Sequence, residues 1–70
     1  MTHNEIRMVK HLTEVARRVK DEHPTWQWAD WALFQNVMAK QPRPRSPEFE
    51  MNDRAYMRCI RMAFVEVHRK

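Results

Sequence analysis

Apolar residues recur at helical spacing near the start of the chain. On a helical wheel of about 100° per residue they fill one half, while charged residues line the other. Thr2 and Glu5 match a capping box, with Met1 and Ile6 as the flanking hydrophobic pair, and a proline follows the pattern. We therefore predict a first helix over residues 3–22. Its apolar positions are Ile6, Met8, Val9, Leu12, Val15, Ala16 and Val19.

A second amphipathic pattern occupies the end of the chain. Asn52 is placed to cap it, and the pattern predicts a helix over residues 53–69. Its apolar stripe consists of Tyr56, Cys59, Ile60, Ala63, Phe64 and Val67.

The middle segment, WQWADWALFQNVM from Trp26 to Met38, is apolar on all sides when it is placed on a helix. It holds all three tryptophans, and it is shorter than the roughly 20 residues that cross a membrane. A helix of this kind is normally buried by other protein surfaces. We predict a helix over residues 26–40, capped by Thr25 and covered by the two neighbouring helices.

Two amphipathic neighbours cannot surround the middle helix completely. The aromatic surface that they leave open predicts self-association as a symmetric homodimer. The alternative is a compact monomer with one exposed tryptophan. The predicted interface residues are Trp26, Trp28, Trp31, Phe34 and Met38.

These elements predict an all-α fold in a single domain over residues 1–70. The connection between the first two helices is short, so they are expected to form an αα-hairpin. Residues 42–47 form a proline-rich linker, in which Ser46 and Pro47 are expected to open a short helical turn. The third helix follows that linker.

The composition argues against an enzyme. Glycine is absent, so glycine-dependent phosphate loops and nucleophile elbows cannot form. Cys59 lies on an apolar stripe, and the four histidines lack metal-ligand spacing. We predict no catalytic residue, no metal site and no cofactor. Asp30 stands out in the apolar middle segment, and we expect it to pair with an arginine or an indole N–H across the interface.

The formal net charge is +4, and the third helix carries a basic face. Its spacing suits the phosphates of a nucleic acid or the carboxylates of an acidic partner protein. An ordinary solvated helix face has the same pattern. The proline-rich linker is too long for a helix-turn-helix motif. The residues of this face are Arg54, Arg58, Arg61 and Arg69.

The short, glycine-poor, tryptophan- and arginine-rich helical chain resembles the small accessory proteins of temperate lambda-like bacteriophages. The resemblance implies a regulator of host or phage processes that acts by binding, and it assigns no residue a role. We therefore predict a non-enzymatic protein–protein interaction module, with a nucleic-acid-binding regulator as the alternative. The N-terminus lacks an apolar leader, so the bacterial or host cytoplasm is the expected location and no membrane association is expected.

Overall fold

Three α-helices form the architecture of the protein, and the computed structural model describes residues 2–69. Helix α1 spans His3–Glu22, α2 spans Trp31–Ala39 and α3 spans Asp53–His68. Short 3-10 turns precede α2 and α3, at Trp28–Asp30 and Pro47–Phe49. The described residues contain no β-strand. The predicted all-α, three-helix fold is therefore confirmed.

Both long helices begin at their predicted caps. The Glu5 N–H donates to Thr2 Oγ1 at 3.2 Å, and the Ala55 N–H donates to Asn52 Oδ1 at 2.8 Å. In each case a side chain satisfies an N–H that has no partner within the helix. The predicted contact of Met1 with the first helix lies outside the described residues.

Helices α1 and α3 are the principal packed pair. They run in the same direction, since Cys59 Sγ lies 3.7 Å from Glu5 O and Glu66, further along α3, lies beside residues 9–17. Their predicted apolar stripes meet to form the core. The buried members are Met8, Leu12, Val15, Ala16 and Val19 from α1, with Ala55, Tyr56, Cys59, Ile60, Ala63 and Phe64 from α3.

Helix α2 begins later than predicted, and Thr25 does not cap it. The Trp26 N–H donates to His23 O at 3.0 Å, which closes a turn where the helix was expected to start. The Gln27 N–H then donates to Asp30 Oδ2 at 2.8 Å, and the Asp30 N–H donates to Gln27 O at 2.9 Å. Asp30 therefore stabilises the start of its own helical segment, and its pairing with an arginine or an indole across a dimer interface stays a prediction.

Helix α2 is also less enclosed than predicted. Within α2, Phe34 and Met38 are buried, whereas the other seven residues are half-buried or exposed. Nine residues make a helix about 14 Å long, so it can bring few side chains to the core. It covers one side of the α1/α3 pair, with Phe34 against Phe64 and Gln41 beside Val19.

Arg43 anchors the proline-rich linker to the start of α3. Its Nη1 lies 2.8 Å from Asp53 Oδ1, its Nη2 donates to Met51 O, and its guanidinium carbon lies 4.4 Å from the centre of the Tyr56 ring. The Pro47–Phe49 turn follows, with the proline at the first helical position as predicted. These contacts fix the path of the chain between α2 and α3.

Candidate protein-interaction surface

An aromatic cluster holds α2 against the last turns of α3. Phe64 is fully buried at its centre. Its ring centroid lies 4.9 Å from that of Phe34, 5.0 Å from that of Trp31 and 4.3 Å from that of His68. Tilted and edge-on contacts of this kind stabilise aromatic pairs beyond the area they bury. The cluster therefore determines which side of α2 faces the core.

Trp28 lies on the rim of this cluster. Its ring is edge-on to Phe64 at a centroid distance of 5.5 Å and tilted against His68 at 5.4 Å. The residue is nevertheless 48% exposed. One side of the indole therefore packs on the protein while the other is open to a partner.

Trp26 lies apart from the cluster, in the turn after α1. Its indole stacks on the imidazole of His23, with centroids 3.9 Å apart and planes 6° from parallel. It is half-buried. The three predicted interface indoles therefore do not form one surface. Trp26 lies in the turn after α1, Trp28 on the rim of the cluster and Trp31, half-buried, at the start of α2.

The side of α2 that faces away from α3 forms an exposed surface, which we call the outer face. Leu33 is 50% exposed there. Between Asp30 and Lys40 the chain carries no charged residue. A half-exposed leucine among small and uncharged neighbours is the kind of surface that proteins bury in interfaces. The exposed residues of the outer face are Ala32, Leu33, Asn36, Ala39 and Lys40.

Two of the predicted interface residues belong to the buried core instead. Phe34 and Met38 are 0% exposed, so a folded subunit cannot present them to a partner. Leu33, which the sequence prediction omitted, is exposed instead. Leu33 and Phe34 lie about 100° apart on the helix wherever it begins, so the packing of Phe34 on Phe64 decides which of the two is buried.

The predicted basic face of α3 is partly occupied by contacts within the protein. Arg58 Nη2 lies 3.6 Å from Glu5 Oε2, and Arg69 Nη1 lies 3.1 Å from Glu66 Oε2. Both arginine side chains remain more than half exposed, so these ion pairs are weak. Within residues 2–69 Arg54 makes no ion pair.

Arg61, the fourth member of the basic face, packs on the aromatic cluster. Its guanidinium carbon lies 4.9 Å from the centre of the Trp31 ring and 5.1 Å from that of Phe64. A guanidinium over an aromatic face is attracted by the ring's negative quadrupole. Arg61 therefore covers Trp31 and is less available to phosphates than the sequence suggested.

The described residues offer little nucleophilic chemistry. Cys59 is fully buried, and burial, followed by the nearby negative charge of Glu5, raises the pKa of its thiol. The reactive thiolate is therefore scarce at neutral pH. Residues 2–69 contain no group of three or more His, Cys, Asp or Glu side chains placed to hold a metal ion.

Comparison of the chain with protein-family models, with curated proteins and with solved structures finds no match. Across the described part of the chain, no helix combines the length and the apolar character that a membrane crossing requires.

Proposed function

We propose that the protein is a non-enzymatic protein–protein interaction module that works in the cytoplasm as a homodimer, with the outer face of α2 as the dimer interface. The observation that carries this proposal is the half-exposed Leu33 within an uncharged stretch of helix. A regulator that acts by binding would also fit the resemblance to small phage accessory proteins.

The outer face is suited to pairing with a second copy of itself. In an antiparallel pair with Asn36 on the two-fold axis, each amide can donate to and accept from its counterpart. Leu33 then lies opposite Ala39 of the partner copy, a large side chain against a small one. Lys40 lies opposite Ala32 of the partner copy, where its aliphatic stem covers apolar surface while its ammonium group stays in water.

The length of α2 limits the strength of this dimer. A helix of nine residues is about 14 Å long, and one face of it is smaller than the roughly 800 Å² that each partner buries in a standard interface. We therefore expect a dissociation constant in the micromolar range, or about −8 kcal/mol.

Replacing Leu33 by aspartate tests the interface, and Met62→Asp is the matched control. Leu33 is 50% exposed and Met62 is 42% exposed, on a different surface. Full burial of a leucine contributes about 1.5–3 kcal/mol, so burying the remaining half contributes about 1 kcal/mol per copy and about 2 kcal/mol per dimer. Losing it weakens dimerisation by at least about thirtyfold, before the cost of a buried charge is added.

Sedimentation equilibrium over a range of concentrations measures the effect, with circular dichroism to verify that both variants fold. The expected result is a concentration-dependent dimer for the wild type and Met62→Asp, and a monomer for Leu33→Asp. A wild-type protein that remains monomeric at near-millimolar concentration refutes the homodimer. If Met62→Asp loses dimerisation and Leu33→Asp does not, the interface lies on the surface around Met62 and not on the outer face of α2.

The alternative function, a nucleic-acid-binding regulator, has some support from the net charge of +4 and from the exposed Arg54. Contacts of Arg58, Arg61 and Arg69 within the protein reduce the charge that this face offers. If phosphates are bound, affinity for generic DNA or RNA falls steeply with salt, with a slope near 0.9 per phosphate contacted on duplex DNA. The absence of binding at low salt eliminates this alternative.

A further inference from the structure

Trp28 leaves part of its indole open beside helix α3. The ring packs on Phe64 and His68, yet the residue is 48% exposed. Trp26 and Trp31 are both half-buried, so Trp28 is the most open of the three indoles in the described chain. An aromatic ring in this position can stack on a flat ring that a ligand brings.

Two arginines of α3 lie in a row that ends at Trp28. Arg54, Arg61 and His68 are each seven residues apart, or about two turns, so they follow one another along one side of the helix. Trp28 contacts His68 at a ring-centre distance of 5.4 Å. The row from Arg54 to His68 is about 21 Å long at 1.5 Å per residue. This side of α3 therefore presents two cations along its length and an open indole at its end.

The charge of both arginines is available to a ligand. Arg54 and Arg61 are exposed, and neither forms an ion pair within residues 2–69. The contact of Arg61 with the Trp31 ring holds its guanidinium in place and leaves its charge without a counter-ion. The two acidic residues of α3, Asp53 and Glu66, pair with other arginines.

Asp30 is the acidic residue closest to Trp28 in the sequence. It is half-buried, and its carboxylate accepts the Gln27 N–H at 2.8 Å within the same turn. One carboxylate with an internal partner does not balance two exposed guanidinium groups. The charge along this side of the protein is therefore positive.

We propose that this side of α3 binds single-stranded nucleic acid, with phosphates at Arg54 and Arg61 and one base stacked on Trp28. This activity is additional to the proposed pairing through the outer face of α2, and it narrows the alternative function from nucleic acid in general to unpaired strands. Proteins that bind single strands combine cations along the backbone with aromatic rings against the bases. At about 3.4 Å per nucleotide of a stacked strand, a row of about 21 Å covers about six nucleotides.

The open indole favours a single strand over other acidic partners. In a duplex the faces of the bases are covered by neighbouring base pairs, so Trp28 would gain no stacking contact. The carboxylates of an acidic peptide would satisfy the arginines but leave the indole uncovered. A second copy of this chain would bring Arg54 and Arg61 close to like charges.

Fluorescence anisotropy with the full-length protein and a short labelled oligothymidylate tests the proposal. We expect the single strand to bind at least about tenfold more tightly than the same strand in a duplex. Trp28→Leu keeps apolar cover on Phe64 but has no ring to stack, so it should lose at least about fivefold in affinity for the single strand. Trp28→Phe should recover most of that loss. Circular dichroism verifies that both variants fold.

A salt titration separates the phosphate contacts from the stacking contact. Arg54→Ala should reduce the salt slope by about 0.7, the value for one phosphate of a single strand, whereas Trp28→Leu should leave the slope unchanged. Arg17→Ala is the matched control. It removes one exposed cation from α1 beside Glu66, which lies about 140° around α3 from Arg61. Its effect on affinity should be less than about twofold, since the charge is distant and screened.

Nuclear magnetic resonance of the wild type gives a readout that needs no variant. On addition of the oligothymidylate, the indole N–H signal of Trp28 should shift more than those of Trp26 and Trp31. Leu33→Asp, which breaks the proposed dimer, should bind the oligothymidylate within about twofold of the wild type, so failure of the dimer and failure of this site are separate results.

Four results would overturn the site. They are the absence of binding at low salt, duplex binding as tight as that of the single strand, unchanged affinity in Trp28→Leu, and a larger shift at another indole. An acidic peptide that shifts the Trp28 signal when the oligothymidylate does not would assign the surface to a protein partner instead.

Discussion

Replacing Phe64 by leucine tests whether the aromatic cluster holds α2 on the rest of the protein. Phe64 is 0% exposed, and leucine keeps most of the apolar burial but removes the ring. Three of the lost ring contacts are with aromatic residues, at centroid distances of 5.5 Å to Trp28, 5.0 Å to Trp31 and 4.9 Å to Phe34. Each such pair contributes about 0.5–1.5 kcal/mol beyond area. Because all three share one ring, we expect a loss of about 2–3 kcal/mol rather than their full sum.

That loss is a large fraction of the protein's stability. A domain of 70 residues has an unfolding free energy of about 4–10 kcal/mol. At about 4–8 °C per kcal/mol for a chain of this size, the melting temperature should fall by about 10–20 °C. Urea denaturation followed by circular dichroism and by tryptophan fluorescence measures both quantities, and the near-ultraviolet dichroism of the indoles should weaken.

Met62→Leu is the control, since Met62 lies on the same helix and is 42% exposed. An exposed substitution of similar size should change stability by no more than about 0.5 kcal/mol. A Phe64→Leu variant within that range of the wild type refutes the reasoning, because α2 would then be held by something other than its rings.

Three further predictions concern the α1/α3 pair and the linker. Asn52→Ala should cost about 1 kcal/mol by urea denaturation, while Asn52→Asp, which can still cap, should cost less. Arg43→Lys should cost about 1 kcal/mol, because lysine cannot contact the Tyr56 ring and two acceptors at once; equal stability contradicts this role. Burial, and secondly Glu5, raises the pKa of the Cys59 thiol above its ordinary value. Its contribution to stability is present below pH ~9 and is lost as pH rises through the folded-state pKa, so Cys59→Val should show a smaller alkaline fall in melting temperature.

The two amphipathic helices could be predicted from the sequence because local and tertiary signals agree there. In α1 and α3 the apolar residues repeat at the helical period, so the same pattern identifies both the element and its buried face. Thr2 and Asn52 mark the starts by hydrogen bonds that involve neighbouring residues alone. A helix start of this kind can therefore be predicted from a few consecutive residues.

The middle helix could not be predicted in the same way. A segment that is apolar all round contains no information about which side is buried, so the burial of Phe34 and the exposure of Leu33 depend on how α2 packs against α3. Thr25 is a favourable cap residue, but the Gln27 N–H, which a threonine cap at this position would bind, donates to Asp30 Oδ2 instead. The competing signal was Asp30, which accepts the Gln27 N–H three residues back.

The pairing of helices also depended on more than connection length. A short connection favours contact between α1 and α2, yet α3 is the main partner of α1. The reason is the amount of apolar surface each helix offers. Helix α2 buries Phe34 and Met38, whereas α3 brings an apolar stripe that continues along its sixteen residues.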